Sequence, residues 1–346
     1  MRRLSFAGVC LASAVLLTTG CGRYGNKLNY TFVVMGDDRL APEDTVGNPS
    51  TVNLYHAKRN FAEIGQMNPL PHFIFFNGDL VMGYTDNDTN RLARELKEWI
   101  KIYKESGLEA KGVKLVALAG NHEVVEKVGS GKITSAADEK VYVNVMKDYI
   151  AGSNGPHATG WIPGTDSLLT DQSHLCYSFD YGGDHFVILS TDPYGRESRV
   201  PYHWINKDLA EAKAAGARHI FLFGHKPAFM SHYEGEPALE EWKANRDSMW
   251  AAVERNNADV YFCSHFHLWD TVQPHKGKTL QVICGNAGAP MSKDWLPYYN
   301  GYTIVNISDL KIGITSMGHD VDRNNYMAAV PNNPTLVRSR FTITSK

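Results

Sequence analysis

Five times along this chain an apolar run stops at a small or turn-forming residue and is followed by side chains able to bind a metal. "VVMGDDR" offers Asp37, "FIFFNGDL" offers Asp79, "LVALAGNHE" offers Asn121 and His122, "IFLFGHK" offers His225, and "VYFCSHFH" offers His265 and His267. One Asp or His after a strand is usually a turn residue. Five such endings in one chain are improbable on that reading. The runs show no alternation of apolar and polar positions, so they read as strands buried on both faces, in a parallel or mixed sheet covered by helices. Between them, apolar residues recur at three- and four-residue spacing, as in Leu92, Leu96 and Ile100. This spacing predicts helices in "TVNLYHAKRNFAEIGQM", "TNRLARELKEWIKIYKES", "SAADEKVYVNVMKDYIAG" and "PALEEWKANRDSMWAAVERN". Two hairpins are expected, "LCYSFDYGGDHFVILSTD" with Gly182-Gly183 at its turn and "GYTIVNISDLKIGITSMG" near the end.

Sites in layered α/β folds form at the carboxyl ends of strands. A glycine before the ligand lets the backbone turn sharply and leaves room for close approach. Carboxylate, amide and imidazole together suit Zn, Mn, Fe or Ni better than Ca, which takes oxygens, or structural zinc, which favours thiolates. His265 and His267, separated by one residue at a strand end, can each face a metal if the backbone turns there, and along a regular strand such residues share a face. The formal charge of −2 shows no basic excess, so no nucleic-acid-specific binding is expected. Cys176, Cys263 and Cys284 are odd in number and widely spaced, which excludes a disulfide framework and a CxxC zinc site. Cys263 and Cys284 lie in apolar runs and read as buried small hydrophobes.

The N-terminus reads as a targeting segment. Met1-Arg2-Arg3 is a positive start, Phe6 to Leu17 is apolar but too short to span a bilayer, and Thr18-Thr19-Gly20 precedes Cys21. Residues 1–20 resemble a bacterial lipoprotein signal, with Cys21 acylated and anchored in a lipid membrane. Thr18 stands where such signals usually carry Leu, and an ordinary cleaved signal is the other reading. Residues 21–29 form a tether, 30–320 one domain, and 321–346 a tail whose "TLVRSRFTITS" can add an edge strand. No other long apolar run predicts a transmembrane helix.

The ordered set Asp37, "GD" at 78–79, "GNHE" at 120–123, "GH" at 224–225 and "HFH" at 265–267 resembles the calcineurin-like metallophosphoesterases, which include the purple acid phosphatases. The resemblance runs from about residue 30 to about residue 320. It implies an α/β fold, a four-layer αββα sandwich of two mixed β-sheets flanked by helices, with a two-metal centre (Mn, Zn or Fe). By motif, Asp79 bridges both ions, Asn121, His225 and His265 hold the second, and Asp37 and His267 hold the first. His122 stands beside the site as general acid or transition-state donor. The implied reaction is hydrolysis of a phosphate ester, monoester or diester, by a metal-activated hydroxide in the cell envelope. The competing expectation is a catalytically weakened surface lipoprotein that binds a phosphorylated or glycan ligand in the same cleft.

Three positions depart from the family. Arg39 stands where a first-metal histidine is usual, and a guanidinium stays protonated and cannot ligate. It can clamp the substrate phosphate, pair with Asp38 or another carboxylate, or mark loss of the first metal. Met82 replaces the second motif's usual Asp or Tyr, with Tyr84 two residues on. Ser264 replaces a glycine. Other segments carry weaker expectations. "KVGSGKIT" lacks a P-loop's first glycine. His232 and Tyr233 follow the fourth motif and can overhang the site. "CGNAGAP" can bring backbone close to it. His56, His72, His157, His174, His203, His219 and His275 read as surface or cap residues. Trp161, Trp269 and Trp295 read as core, with cleft walls as the alternative.

Overall fold

The computed structural model describes residues 23–42, 49–230, 238–275, 279–291 and 298–344. The signal segment, Cys21, His232, Tyr233 and Trp295 lie outside the described residues. In chain order the strands are β1 (Tyr30–Met35), β2 (Phe73–Asn77), β3 (Lys114–Leu118), β4 (Val125–Val128), β5 (Gly131–Thr134), β6 (Tyr177–Tyr181) and β7 (Asp184–Leu189). They continue as β8 (Ile220–Gly224), β9 (Val260–Cys263), β10 (Trp269–Val272), β11 (Leu280–Cys284), β12 (Tyr299–Ser308), β13 (Lys311–Asp320) and β14 (Leu336–Thr344). The helices are α1 (Leu54–Ile64), α2 (Thr89–Glu105), α3 (Asn121–Val124), α4 (Ala136–Met146), α5 (Tyr202–Ala214) and α6 (Lys243–Arg255).

One sheet has the order β14-β13-β12-β1-β2-β3 and the other β10-β11-β9-β8-β7-β6. Within them β1, β2 and β3 run parallel, as do β7, β8, β9 and β11. Both sheets are mixed, because β1 pairs antiparallel with β12 and β6 with β7. The four-layer sandwich follows from how each strand divides its side chains. Val33 and Met35 of β1 pack into a core shared with α1, α2 and α4, whereas Phe32 and Val34 enter the core between the sheets. A third core, including Val187, Leu222, Leu209 and Trp250, joins the second sheet to α5 and α6. With both faces covered, the strands need no polar side, which explains their unbroken apolar runs.

The central core also sets the site. Phe75 of β2 and Phe223 of β8 stack across the sheets with centroids 3.9 Å apart and an interplanar angle of 11°. Each precedes a metal-ligand motif in its strand, so the stack aligns the ends carrying Asp79 and His225. Such a pair contributes about 0.5–1.5 kcal/mol beyond its area burial. At the opposite end of the sheets, Leu28 N donates to Gly182 O at the β6–β7 turn. There, too, Arg23 Nε and Tyr24 Oη donate to the two oxygens of Asp180, at 2.6 and 2.8 Å. The chain therefore enters the body at the end away from the carboxyl ends of its parallel strands.

Several sequence expectations are corrected. His56 and His219 are fully buried rather than surface residues, and Trp161 is 66% exposed rather than core. In keeping with its lack of a P-loop's first glycine, "KVGSGKIT" forms the β4–β5 hairpin. His56 of α1 stacks on the equally buried His319 of β13, centroids 4.5 Å apart. Both His56 ring nitrogens and His319 Nε2 lack a hydrogen-bond partner among the described residues. Burial, reinforced by Arg59, pushes His56 down to about 4, and burial with His56 and Arg59 pushes His319 to about 3. The unfolded chain binds these protons near pH 6.5, before the folded chain does. The pair's contribution to stability is therefore full above that pH and declines as pH falls towards 4. Chemical denaturation at pH 7 and pH 5 should show a loss that is clearly smaller in His56→Phe. Equal losses in the two proteins would refute this account.

Candidate metal centre

The five strand endings found in the sequence meet at one place, at the carboxyl ends of β1, β2, β3, β8 and β9. The turns there are sharp. Asp37, Asp79 and His265 adopt φ of 67°, 53° and 70°, in the left-handed region that non-glycine residues seldom occupy. Gly78 has φ of 82°, and a Cβ there would lie 2.6 Å from the Gly120 backbone and 2.8 Å from His225 Nδ1. Only glycine lets β2 and β3 bring Asp79 and Asn121 together this closely. Gly285 of "CGNAGAP" plays a similar part, since a Cβ there would sit 2.5 Å from Asp37 Oδ2. Ala289 N donates to Asp37 O at 2.7 Å, so this segment does bring backbone to the site.

Two clusters of donor atoms share Asp79. In one, His225 Nε2 lies 3.0 Å from Asn121 Oδ1, 3.1 Å from Asp79 Oδ1 and 3.2 Å from His265 Nδ1. His225 Nδ1 bonds Asn77 O at 2.8 Å, which commits that nitrogen as the donor. The lone pair on Nε2 then faces two oxygens, an arrangement that needs either a second proton or a cation. Burial opposes charge on the His225 ring, but Asp79 and Asp37 outweigh it and raise it to about 9. Spacings of this size are the polyhedron edges expected for ligands roughly 2.1 Å from a common ion.

In the other cluster, Asp37, Asp79 and His267 each offer a ligand atom within 4.8 Å of the others. Asp37 Oδ1, Asp79 Oδ2 and His267 Nε2 are buried and lack a hydrogen-bond partner among the described residues. His267 Nδ1 is held by Pro290 O at 2.6 Å, turning Nε2 into the gap. Burial and Arg39 lower His267 to about 3, so its imidazole stays neutral and able to ligate. Three buried, unsatisfied atoms at one point are costly without a cation to meet them. Both donor sets therefore fit metal ions, with carboxylate, amide and imidazole chemistry throughout.

Arg39 enters the same space. Its Nε lies 3.5 Å from Asp79 Oδ2, without hydrogen-bond geometry, and the side chain is 16% exposed. It is not paired with Asp38. Asp38 is buried, accepts from Trp99 Nε1 at 2.9 Å and ties this turn to α2, while burial raises it to about 7. His122 is held by Met82 O, 2.6 Å from its Nδ1, and presents Nε2 3.7 Å from Asp79 Oδ2. Burial first, then Arg39, keeps this ring well below the usual histidine range. Met82, where the family carries a ligand, thus contributes its carbonyl. The loop does bulge at Tyr84 (φ 49°), whose Oη accepts from Asn121 Nδ2 at 2.5 Å and whose ring lies 4.2 Å from that of His122.

The sequence profile of calcineurin-like phosphoesterases matches residues 30–268. The chain belongs to the calcineurin-like phosphoesterase family. It is 26% identical over 176 residues to purple acid phosphatase 23 of Arabidopsis thaliana, covering 50% of this chain and 32% of that one. It is 32% identical over 160 residues to purple acid phosphatase 21 of the same plant, covering 45% and 30%. It spans about a third of the length of these relatives. Its fold is similar to that of a purple acid phosphatase from yellow lupin (Lupinus luteus) seeds, with a TM-score of 0.60 at 16% identity, over 93% of this chain and 55% of that one.

In this calcineurin-like phosphoesterase, one positioning residue escaped the sequence reading. Glu123 accepts from Gly120 N at 2.7 Å, Asp79 N at 3.0 Å and Val81 N at 3.0 Å, locking the second and third motifs together. Its place as the last letter of "GNHE" was the available signal.

Proposed function

We propose that the chain is a metal-dependent hydrolase of phosphate esters, exported to the cell envelope and anchored through an acylated Cys21. The observation that carries this reading is the division of Asp79, which turns one oxygen into each of two clusters of buried donors. Asp79, Asn121, His225 and His265 would hold one ion, and Asp37, Asp79 and His267 the other. Bound ions supply an acidified water for attack at phosphorus and neutralise charge on the phosphoryl oxygens. The protein's own groups do the rest. His122, fixed through Nδ1 by Met82 O, aims Nε2 at the reacting centre. A substrate dianion favours the charged imidazole, so His122 gains its second proton as substrate arrives and delivers it to the leaving oxygen. Arg39 offers donors to the phosphoryl oxygens beside Asp79, as a guanidinium does well.

Metal analysis with hydrolysis of p-nitrophenyl phosphate and bis(p-nitrophenyl) phosphate, with Mn, Zn or Fe supplied, tests the reading. Metal binding and turnover are expected. A folded protein that binds no metal and hydrolyses neither ester would end it. Arg39→His separates a phosphate clamp from a structural ion pair. Loss of a charge-assisted hydrogen bond to phosphate should raise KM about 10- to 100-fold while metal content holds or rises. Kinetics close to wild type would assign Arg39 to structure alone.

A further inference from the structure

The β4–β5 hairpin carries a feature that the hydrolase reading leaves unused. Lys127 and Lys132 are direct cross-strand partners, and both are exposed. Like charges directly opposite each other in an antiparallel pair repel and destabilise it. Neither lysine makes an ion pair with a carboxylate among the described residues. Glu126, beside Lys127, is turned inward, accepting from Thr85 N, Thr85 Oγ1 and Asp86 N. Glu197 is within electrostatic reach of Lys132, but its carboxylate lies by Lys226, 3.7 Å away.

Both ammonium groups converge on one ring. Lys127 Nζ lies 4.5 Å and Lys132 Nζ 5.6 Å from the Tyr84 centroid. Tyr84 in turn touches His122 and bonds Asn121. Its loop is fixed by Glu126 and by Glu95, which accepts from Gly83 N at 2.8 Å. Two unneutralised cations are thus held one aromatic ring away from the group proposed to protonate the leaving oxygen.

We infer that Lys127 and Lys132 form an anion subsite on the leaving-group side of the centre, selecting phosphate esters whose alcohol part carries a second phosphate or another dianionic group. The inference rests on the hydrolase reading for its chemistry. An anion between the lysines relieves their mutual repulsion, and Tyr84 sets its distance from the scissile phosphate.

The test compares 2,3-bisphosphoglycerate with glycerol 2-phosphate in the wild type and in Lys127→Ala/Lys132→Ala. The wild type should favour the bisphosphate by about tenfold or more in kcat/KM, and the variant should lose that preference through a higher KM. Glycerol 2-phosphate kinetics should change by less than about twofold, since one phosphate occupies the centre itself. An unchanged preference, or equal losses on both substrates, would overturn the subsite. If the wild type hydrolyses neither, the nitrophenyl esters decide the hydrolase reading, and calorimetric titration with methylenediphosphonate decides the subsite alone. Binding weakened about tenfold in the variant supports it, and equal binding overturns it.

Discussion

Replacing Asp79 with alanine is expected to strip the protein of both metals and to lower turnover by roughly 10⁴-fold or more. Among the described residues, no other His, Cys, Asp or Glu belongs to both donor clusters. Asp79 Oδ1 also accepts from His122 N at 3.0 Å, so the substitution removes one tie between the second and third motifs and leaves those made by Glu123 in place. It also removes the larger of the two carboxylate attractions holding His225 near 9. Of the two carboxylates, only Asp37 then draws charge onto that ring. The fold should survive, because Phe75, Phe223 and the rest of the inter-sheet core are untouched. Metal content by mass spectrometry, circular dichroism and ester hydrolysis measure the three effects separately. A folded variant with two ions and wild-type turnover would remove Asp79 from the centre.

His122→Ala should lower kcat by about 10²- to 10⁴-fold and leave metal content unchanged. Its ring ligates nothing in either donor cluster, while its backbone N–H to Asp79 survives the substitution. The dependence on leaving group is the sharper signature. p-Nitrophenolate departs without help, whereas an alkoxide needs a proton. The loss should therefore be much larger for glycerol 2-phosphate than for p-nitrophenyl phosphate. Equal losses would move His122 from the leaving oxygen to the phosphoryl oxygens. No loss with either ester would exclude it from the reaction.

The strand endings were legible because glycine followed by a ligand is a local pattern, and because strands buried on both faces leave unbroken apolar runs. Asp37, Asp79, Asn121, His225, His265 and His267 were named from those endings, and their side chains converge. What holds them was not legible. His122, His225 and His267 are oriented by the carbonyls of Met82, Asn77 and Pro290, and a carbonyl has no letter in a sequence. Asp38 read as a loop residue because its partner, Trp99, is 61 positions away on α2. His56 and His319 were missed as a pair for the same reason, one lying on the first helix and the other on the last long hairpin. β10 escaped because its four residues are all half-buried and follow the last motif without a turn signal. Arg39 was placed by motif alone, and only the geometry separated it from Asp38 and set it beside Asp79.

The entry of the chain beside the Gly182-Gly183 turn has a consequence for access. Arg23, fastened to Asp180, is two residues beyond Cys21, a reach of roughly 7 Å even when fully extended. With an acyl anchor on Cys21, as proposed, the body would rest directly on the bilayer, its base formed by the amino ends of β7 and β8. The metal centre would then open upward, about a strand's length of 17–20 Å above the headgroups. An enzyme posed this way would draw its substrates from the surrounding water and turn its back on the lipids beneath it.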